Sequence, residues 1–218
     1  MADRQPSRAA VFLDRDGVIN EERGHVHRPQ DFVLLPGVLA GLQELRHAGL
    51  PLVVVTNQAG IARGLYGVDD YLALTEHMRL QLRAAGITLA GVYCCPHHPT
   101  EGIGRWKCDC ACRKPQPGLL QAAAVDLGLD LAASFLVGDK ASDIAAGRAA
   151  GLRGCVLVES GHPVSDADRR SADRCEPGLL QAAHWIAARS APLPGRPASR
   201  PASRSSASRS SATLQSLH

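Results

Sequence analysis

Five short apolar runs, separated by stretches of helical spacing, constrain the fold of this chain more than any other feature. They are 9–13 (AAVFL), 50–55 (LPLVVV), 92–94 (VYC), 134–137 (SFLV) and 155–158 (CVLV). A half-solvated strand alternates apolar with polar residues, whereas a strand buried on both faces is a continuous apolar run. Between these runs lie helical patterns. Residues 39–47 are followed by Gly49 as a stop, and Asp69 and Asp70 begin a long helix that reaches about Ala85. Pro117 opens a helix that ends near Gly128, 142–150 is stopped by Gly151, and 178–188 is a last helix. This alternation predicts an α/β fold, a doubly wound parallel sheet with right-handed crossovers. Sites in such sheets lie at the carboxyl ends of the strands, so the polar residues after each run are the candidates.

The chain of 218 residues carries a net charge of +3, but unevenly. No acidic residue follows Glu176, and 190–218 is a Ser, Ala, Pro and Arg tract holding Arg196, Arg200, Arg204 and Arg209. Without those four arginines the body is slightly acidic, which argues against a nucleic-acid partner. Two segments are therefore expected: a folded domain over 1–189 and a disordered tail over 190–218. No apolar run approaches the roughly 18 residues of a membrane span. The polar start lacks the apolar segment of a secretory signal, so a cytoplasmic setting is expected, where seven clustered and isolated cysteines mean metal or chemistry before disulfides.

Asp14-Arg15-Asp16-Gly17 follows the first run directly, and Asp139, with Asp143 beyond it, leaves the fourth. Any one of these acids could be a cap or turn former. Together they make an oxygen-rich site suited to Mg²⁺, with Asp14 placed to act as a nucleophile. Thr56-Asn57-Gln58 follows the second run and offers a hydroxyl and backbone N–H groups to phosphate oxygens. Arg113-Lys114 and Lys140 deliver positive charge to the same edge.

In order and placement, Asp14-Arg15-Asp16-Gly17, Thr56, Lys114 and the Gly138-Asp139 to Asp143 segment resemble the four motifs of the haloacid dehalogenase (HAD) superfamily phosphatases. The resemblance implies a HAD-like Rossmannoid fold and a phosphoryl-transfer mechanism. Asp14 would attack phosphorus to form an acyl-phosphate, and Asp16 would protonate the leaving oxygen and then activate water. Thr56 and Lys114 would hold the phosphoryl group. Mg²⁺ would be bound by Asp14, the main-chain carbonyl of Asp16, and Asp139, with Asp143 supporting the metal or Lys114.

Cys95-Pro96-His97-His98-Pro99 and Cys108-Asp109-Cys110-Ala111-Cys112 form two soft clusters across a loop poor in apolar residues, a signal for structural Zn²⁺. Within the HAD phosphatases, this loop running into Arg113-Lys114-Pro115 is similar to that of the D-glycero-D-manno-heptose-1,7-bisphosphate 7-phosphatases, and the related histidinol-phosphate phosphatases share the loop type. That pattern has two cysteines before Arg-Lys-Pro, and this chain has three. Cys95, His97, Cys110 and Cys112 are the favoured ligands, with Cys108 the alternative cysteine and His98 the alternative histidine. Cys155 and Cys175 stand apart as isolated thiols. The resemblance also implies substrate contacts from Glu22, Arg23, Gly24 and His25, from Asn57, Gln58 and Ala59, and from Arg113 and Lys140.

The intervals from Asp16 to Thr56 and from Thr56 to Lys114 leave no room for a large cap domain. The site should be open and rimmed by loops near 24–28, Arg63 and 95–113. A small phosphorylated sugar suits it, and by resemblance the 7-phosphate of the heptose bisphosphate would be removed, in nucleotide-activated heptose synthesis. Histidinol-phosphate hydrolysis is the alternative. A nucleic-acid 3′-phosphatase and a non-catalytic zinc module are further from the residues present. Nothing in the sequence requires more than a monomer. Truncation after Ser190 is expected to leave folding and activity unchanged; a large loss of phosphatase activity in the shortened chain contradicts this.

Overall fold

The computed structural model describes residues 8–190. The Ser/Ala/Pro/Arg tract expected as a tail lies outside the described residues, apart from Ser190. Strands β1 (Val11–Leu13), β2 (Leu52–Asn57), β3 (Gly91–Cys95), β4 (Phe135–Gly138), β5 (Gly154–Val158) and β6 (Arg174–Glu176) form one sheet in the order β3-β2-β1-β4-β5-β6. Every pairing is parallel. The connecting helices are α1 (Val38–His47), α2 (Ala59–Ala62), α3 (Val68–Ala84), α4 (Gly118–Leu127), α5 (Ala141–Ala149), α6 (Asp166–Ser171) and α7 (Leu179–Ser190).

Side-chain alternation along each strand sorts the core into two layers. Val11, Leu13, Leu52, Val54, Phe135, Val137, Val156 and Val158 face one side, where they pack with Leu42 and Leu45 of α1, Leu74 and Met78 of α3, and Ala183 and Ile186 of α7. Phe12, Val53, Val55, Leu136, Cys155 and Leu157 face the other, against Leu119 and Leu120 of α4 and Ile144 of α5. Both faces are covered, which is why the strands are continuous apolar runs. Low aromatic content makes close helix packing necessary, and glycine supplies it. A Cβ at Gly41 would sit 3.0 Å from the Leu179 carbonyl oxygen of α7.

The sixth strand was not among the five expected. It pairs only with β5, Val158 opposite Glu176, and lies at the sheet edge, so it needs no apolar run. Helix α6 was also missed, although Ser165 and Asp168 form a capping box at its start. Pro117 caps α4 rather than occupying its first turn. No large cap domain interrupts the described residues: α1 alone with a one-turn 3-10 segment fills the β1–β2 crossover, and α2 and α3 fill the next. Among the described residues, no helix is long and apolar enough to cross a membrane.

The strand order reverses between β1 and β4, whose neighbouring carboxyl ends carry Asp14 and Asp139. This is the topological switch point at which ligands bind in open α/β sheets.

Candidate active site

Asp14 is the first residue beyond β1, and its backbone N–H donates to the Val137 carbonyl of β4 (3.0 Å), so the two strand ends are fastened at the site. The carboxylate of Asp14 is buried. Facing it is the equally buried Lys114 ammonium, 2.9 Å from Asp14 Oδ1 and 2.5 Å from Asp143 Oδ1. Lys114 Nζ also donates to the Val55 carbonyl (2.9 Å) in β2. Asp143 is fixed in turn, because its Oδ2 accepts from the Lys140 backbone N–H (3.1 Å) in the first turn of α5.

Burial lifts the Asp14 pKa to about 7; Lys114 opposes the shift, while Asp143, Asp139 and Asp16 add to it. Burial would lower Lys114, but the Asp14 and Asp143 carboxylates outweigh it and hold the ammonium above its ordinary range. Burial also raises Asp139, against the opposing pull of Lys140 and His162. Asp14, Asp139 and Asp143 each place a carboxylate oxygen within 4.8 Å of the others. Asp139 Oδ1 is buried with no hydrogen-bond partner, and Oδ2 meets His162 Nδ1 at 2.6 Å. A converging set of hard oxygens with an orphaned lone pair fits a divalent cation such as Mg²⁺. The backbone is cut close around it. Gly17 has φ +81°, and a Cβ there or at Gly161 would overlap the Asp139 carboxylate.

Asp16 projects differently. Its Oδ1 accepts from Asn20 Nδ2 and Arg15 Nη2 (both 2.9 Å), and its Oδ2 from Arg15 Nη2 (2.9 Å) and Gln58 Nε2 (3.0 Å). Its carboxylate thus stands apart from the metal-type cluster, leaving its main chain as the part that could join it.

A cavity of about 650 Å³ opens over these groups. Asp14, Asp16, Lys114 and Asp143 line it, as do Glu22, Gly24, His25, Gln58, Ala59, Arg113 and Lys140. Arg23 is not among the lining residues: its side chain is exposed and paired with Glu21 (2.5 Å). Asn57 lines the wall, but its side chain is committed elsewhere. Its Nδ2 donates to the Lys114 carbonyl (3.0 Å) and its Oδ1 accepts from the Lys114 N–H (3.1 Å), so it grips the lysine's backbone. Thr56 is buried at the end of β2, its hydroxyl accepting from Gln58 Nε2 (2.9 Å). His25 has φ 57°, the only positive φ of a non-glycine among the described residues, and it sits on the rim. His162, Arg15 and Asn20 carry contacts at the site that the sequence reading did not assign. Arg15 lies within the Asp14-Arg15-Asp16-Gly17 motif and Asn20 just after it, whereas His162 follows β5 in a segment without a motif.

In the loop after β3, Cys95, His97, Cys110 and Cys112 also bring their ligand atoms within 4.8 Å of one another. Cys95 Sγ lies 3.6 Å from Cys110 Sγ and 3.8 Å from His97 Nδ1, and Cys112 Sγ lies 3.5 Å from His97 Nδ1. Tetrahedral Zn–S bonds set ligand separations of about 3.8 Å. Hydrogen bonding from Cys95 brings the Cys112 thiol down to about 5, so the cluster favours a thiolate. Cys108 lies outside the cluster and lines a separate cavity with Asp109 and Pro99. His98 Nδ1 is occupied in its own loop, accepting from the Glu101 N–H (3.0 Å). Arg113 Nη1 donates to the His97 carbonyl (3.1 Å), which links this cluster to the rim of the site.

Carboxylates and a buried lysine at the switch point of a parallel sheet define a phosphoryl-transferring hydrolase of the HAD type. Residues 111–181 match the family model described as HAD-hydrolase-like. Over 164 residues the chain is 46% identical to a D-glycero-beta-D-manno-heptose-1,7-bisphosphate 7-phosphatase of Pasteurella multocida, covering 75% of this chain and 89% of that protein. Among solved structures, the D,D-heptose 1,7-bisphosphate phosphatase of B. bronchiseptica, complexed with magnesium and phosphate, matches with TM-score 0.70 and 30% identity over 83% of this chain and 99% of that one. A HAD-like phosphatase from Mesorhizobium loti matches with TM-score 0.76 and 35% identity, covering 87% and 90%. The chain belongs to the family of D-glycero-D-manno-heptose-1,7-bisphosphate 7-phosphatases, and it is a phosphoric monoester hydrolase.

Removing the ammonium from between two buried carboxylates is expected to destabilise the fold. Lys114→Met should lower unfolding stability in urea, with EDTA present, by about 3–5 kcal/mol. An unchanged midpoint would show that the Lys114 cluster is not a structural clamp.

Proposed function

We propose that the chain removes the 7-phosphate of D-glycero-D-manno-heptose 1,7-bisphosphate through an aspartyl-phosphate on Asp14, supplying nucleotide-activated heptose synthesis. The observation that carries this reading is the Asp14–Lys114–Asp143 cluster beside Asp139, at the head of an open cavity lined by Arg113 and Lys140. Asp14 attacks phosphorus as the nucleophile, and the P–O bond to the sugar breaks. Asp16 gives its proton to the departing sugar oxygen. It then takes a proton from the water that attacks the acyl-phosphate, releasing inorganic phosphate and restoring Asp14. Lys114 and the Thr56 hydroxyl hold the phosphoryl oxygens as charge spreads over them. Arg113 and Lys140, on the rim, are suited to the second phosphate of a bisphosphate.

Asp14, Asp139 and the main-chain carbonyl of Asp16 would hold Mg²⁺, with Asp143 beside them. When bound, that ion neutralises phosphoryl charge and keeps Asp14 ionised against its burial. Cys95, His97, Cys110 and Cys112 would hold Zn²⁺, which braces the loop carrying Arg113 and Lys114. The thiolates of such a site suit a reducing, cytoplasmic setting. The catalytic unit is 1–189, acting as a monomer on a small phosphorylated sugar and on neither nucleic acid nor membrane.

The decisive assay compares kcat/KM for both anomers of the heptose 1,7-bisphosphate with histidinol phosphate, using Asp14→Asn as the inactive control. Preference for the heptose bisphosphate is expected, and preference for histidinol phosphate overturns the assignment. For the second metal, Cys108→Ser should retain one equivalent of zinc by elemental analysis, whereas Cys112→Ser should lose it. Zinc loss from the Cys108 variant would move the ligand set one cysteine upstream.

A further inference from the structure

The amide of Gln58 stands between two groups that the proposed mechanism uses. Its Nε2 donates to Thr56 Oγ1 (2.9 Å) and to Asp16 Oδ2 (3.0 Å). Its Oε1 accepts from the Tyr66 hydroxyl (2.6 Å) and from Arg15 Nη2 (3.3 Å). Two donors and two acceptor sites are thereby filled, and the amide is saturated. Rotated end for end, it would set its carbonyl oxygen against the Asp16 carboxylate and its NH₂ against the Arg15 guanidinium. Both contacts would be repulsive.

Tyr66 makes the shorter of the two contacts to the Gln58 carbonyl oxygen. It is buried, and burial holds its ionisation well above the ordinary tyrosine range, so the hydroxyl keeps the proton that it donates to Gln58 Oε1. The ring is placed independently of that hydroxyl. It stacks on His27 with centroids 4.9 Å apart and planes 4° apart. It also fills the space over Gly60, where a Cβ would overlap it.

We propose that Tyr66 is a positioning residue for phosphoryl transfer. Through Gln58 it fixes the direction of the hydrogen bonds to Thr56 and Asp16, leaving the Thr56 hydroxyl proton free for the transferring phosphoryl group. The logic is one of donor counting. Thr56 Oγ1 accepts from Gln58, so its single proton is not given to that amide and stays available for the phosphoryl oxygen that the mechanism above assigns to it. If Gln58 were free to turn, Thr56 would spend that proton on the Gln58 carbonyl. The proposal rests on the roles given above to Thr56 and Asp16, not on the identity of the sugar.

The test is Tyr66→Phe, which keeps the ring and deletes the hydroxyl, assayed on heptose 1,7-bisphosphate and on p-nitrophenyl phosphate. Loss of one neutral hydrogen bond predicts a kcat reduced about 3- to 10-fold, with KM unchanged within about twofold. In a Gln58→Ala background the same substitution should have no further effect, because the relay is already cut. An unchanged kcat in Tyr66→Phe overturns the proposal, as does a Tyr66→Phe loss that persists in full without Gln58. Unmodified enzyme that hydrolyses the aryl phosphate but not the heptose bisphosphate would defeat the substrate assignment, and the relay would then be judged on the aryl ester.

Discussion

The buried ammonium of Lys114 is the charge around which the site is assembled. It touches Asp14 beyond β1, Asp143 in α5 and the Val55 carbonyl of β2. Three elements remote in sequence are thereby tied at one point. Desolvating a lysine and two carboxylates is costly, and the arrangement is tolerable only because each charge has an opposite partner at contact distance. The same desolvation gives the charges their chemical strength, because in a water-poor pocket a fixed ammonium acts strongly on a nearby phosphoryl group.

The lysine is held from behind as well. Asn57 clasps its backbone N–H and C=O, and Arg113, one residue earlier, reaches the His97 carbonyl in the cysteine-histidine loop. This loop has few apolar side chains to pack. Its four S and N ligand atoms converge to within 4.8 Å of one another, so a bound metal ion would give it the anchoring that a hydrophobic core gives elsewhere. A weak loop can then carry two charged residues to a defined position at the sheet edge.

The remaining acids divide by environment. Asp139 is pressed between Gly17 and Gly161, with one oxygen on His162 and the other unpartnered. Asp16, two residues from Asp14 in sequence, is turned into a hydrogen-bond network of Arg15, Asn20 and Gln58. Two acids in one short motif are thus committed to different surroundings, and pairs set apart in this way can take different parts in one reaction.

Much of this was legible before any coordinates. Continuous apolar runs dictated a sheet buried on both faces, and polar residues directly after them had to emerge at its carboxyl edge, because strand and side-chain periodicity are local properties. Asp14, Thr56 and Asp139 could be singled out on that ground alone, whereas Lys114, well beyond β3, was marked by its place in the order of motifs. Partners that depend on chain packing could not. The edge strand β6 has no apolar pattern because it has one neighbour, and Arg23 turns to Glu21 rather than to the cavity. Asn57 grips a lysine backbone 57 residues away, Tyr66 meets Gln58 across a turn, and His162 reaches Asp139 from beyond β5. Spacing admits either pair of the three cysteines, with Cys110 and Cys112 favoured; the fold brings Cys110 and Cys112, and not Cys108, to Cys95. Local pattern determined which elements form and which residues leave them. Only the tertiary structure decided which side chains share a charge or a proton, because those pairings depend on three-dimensional distance between residues that no local periodicity relates.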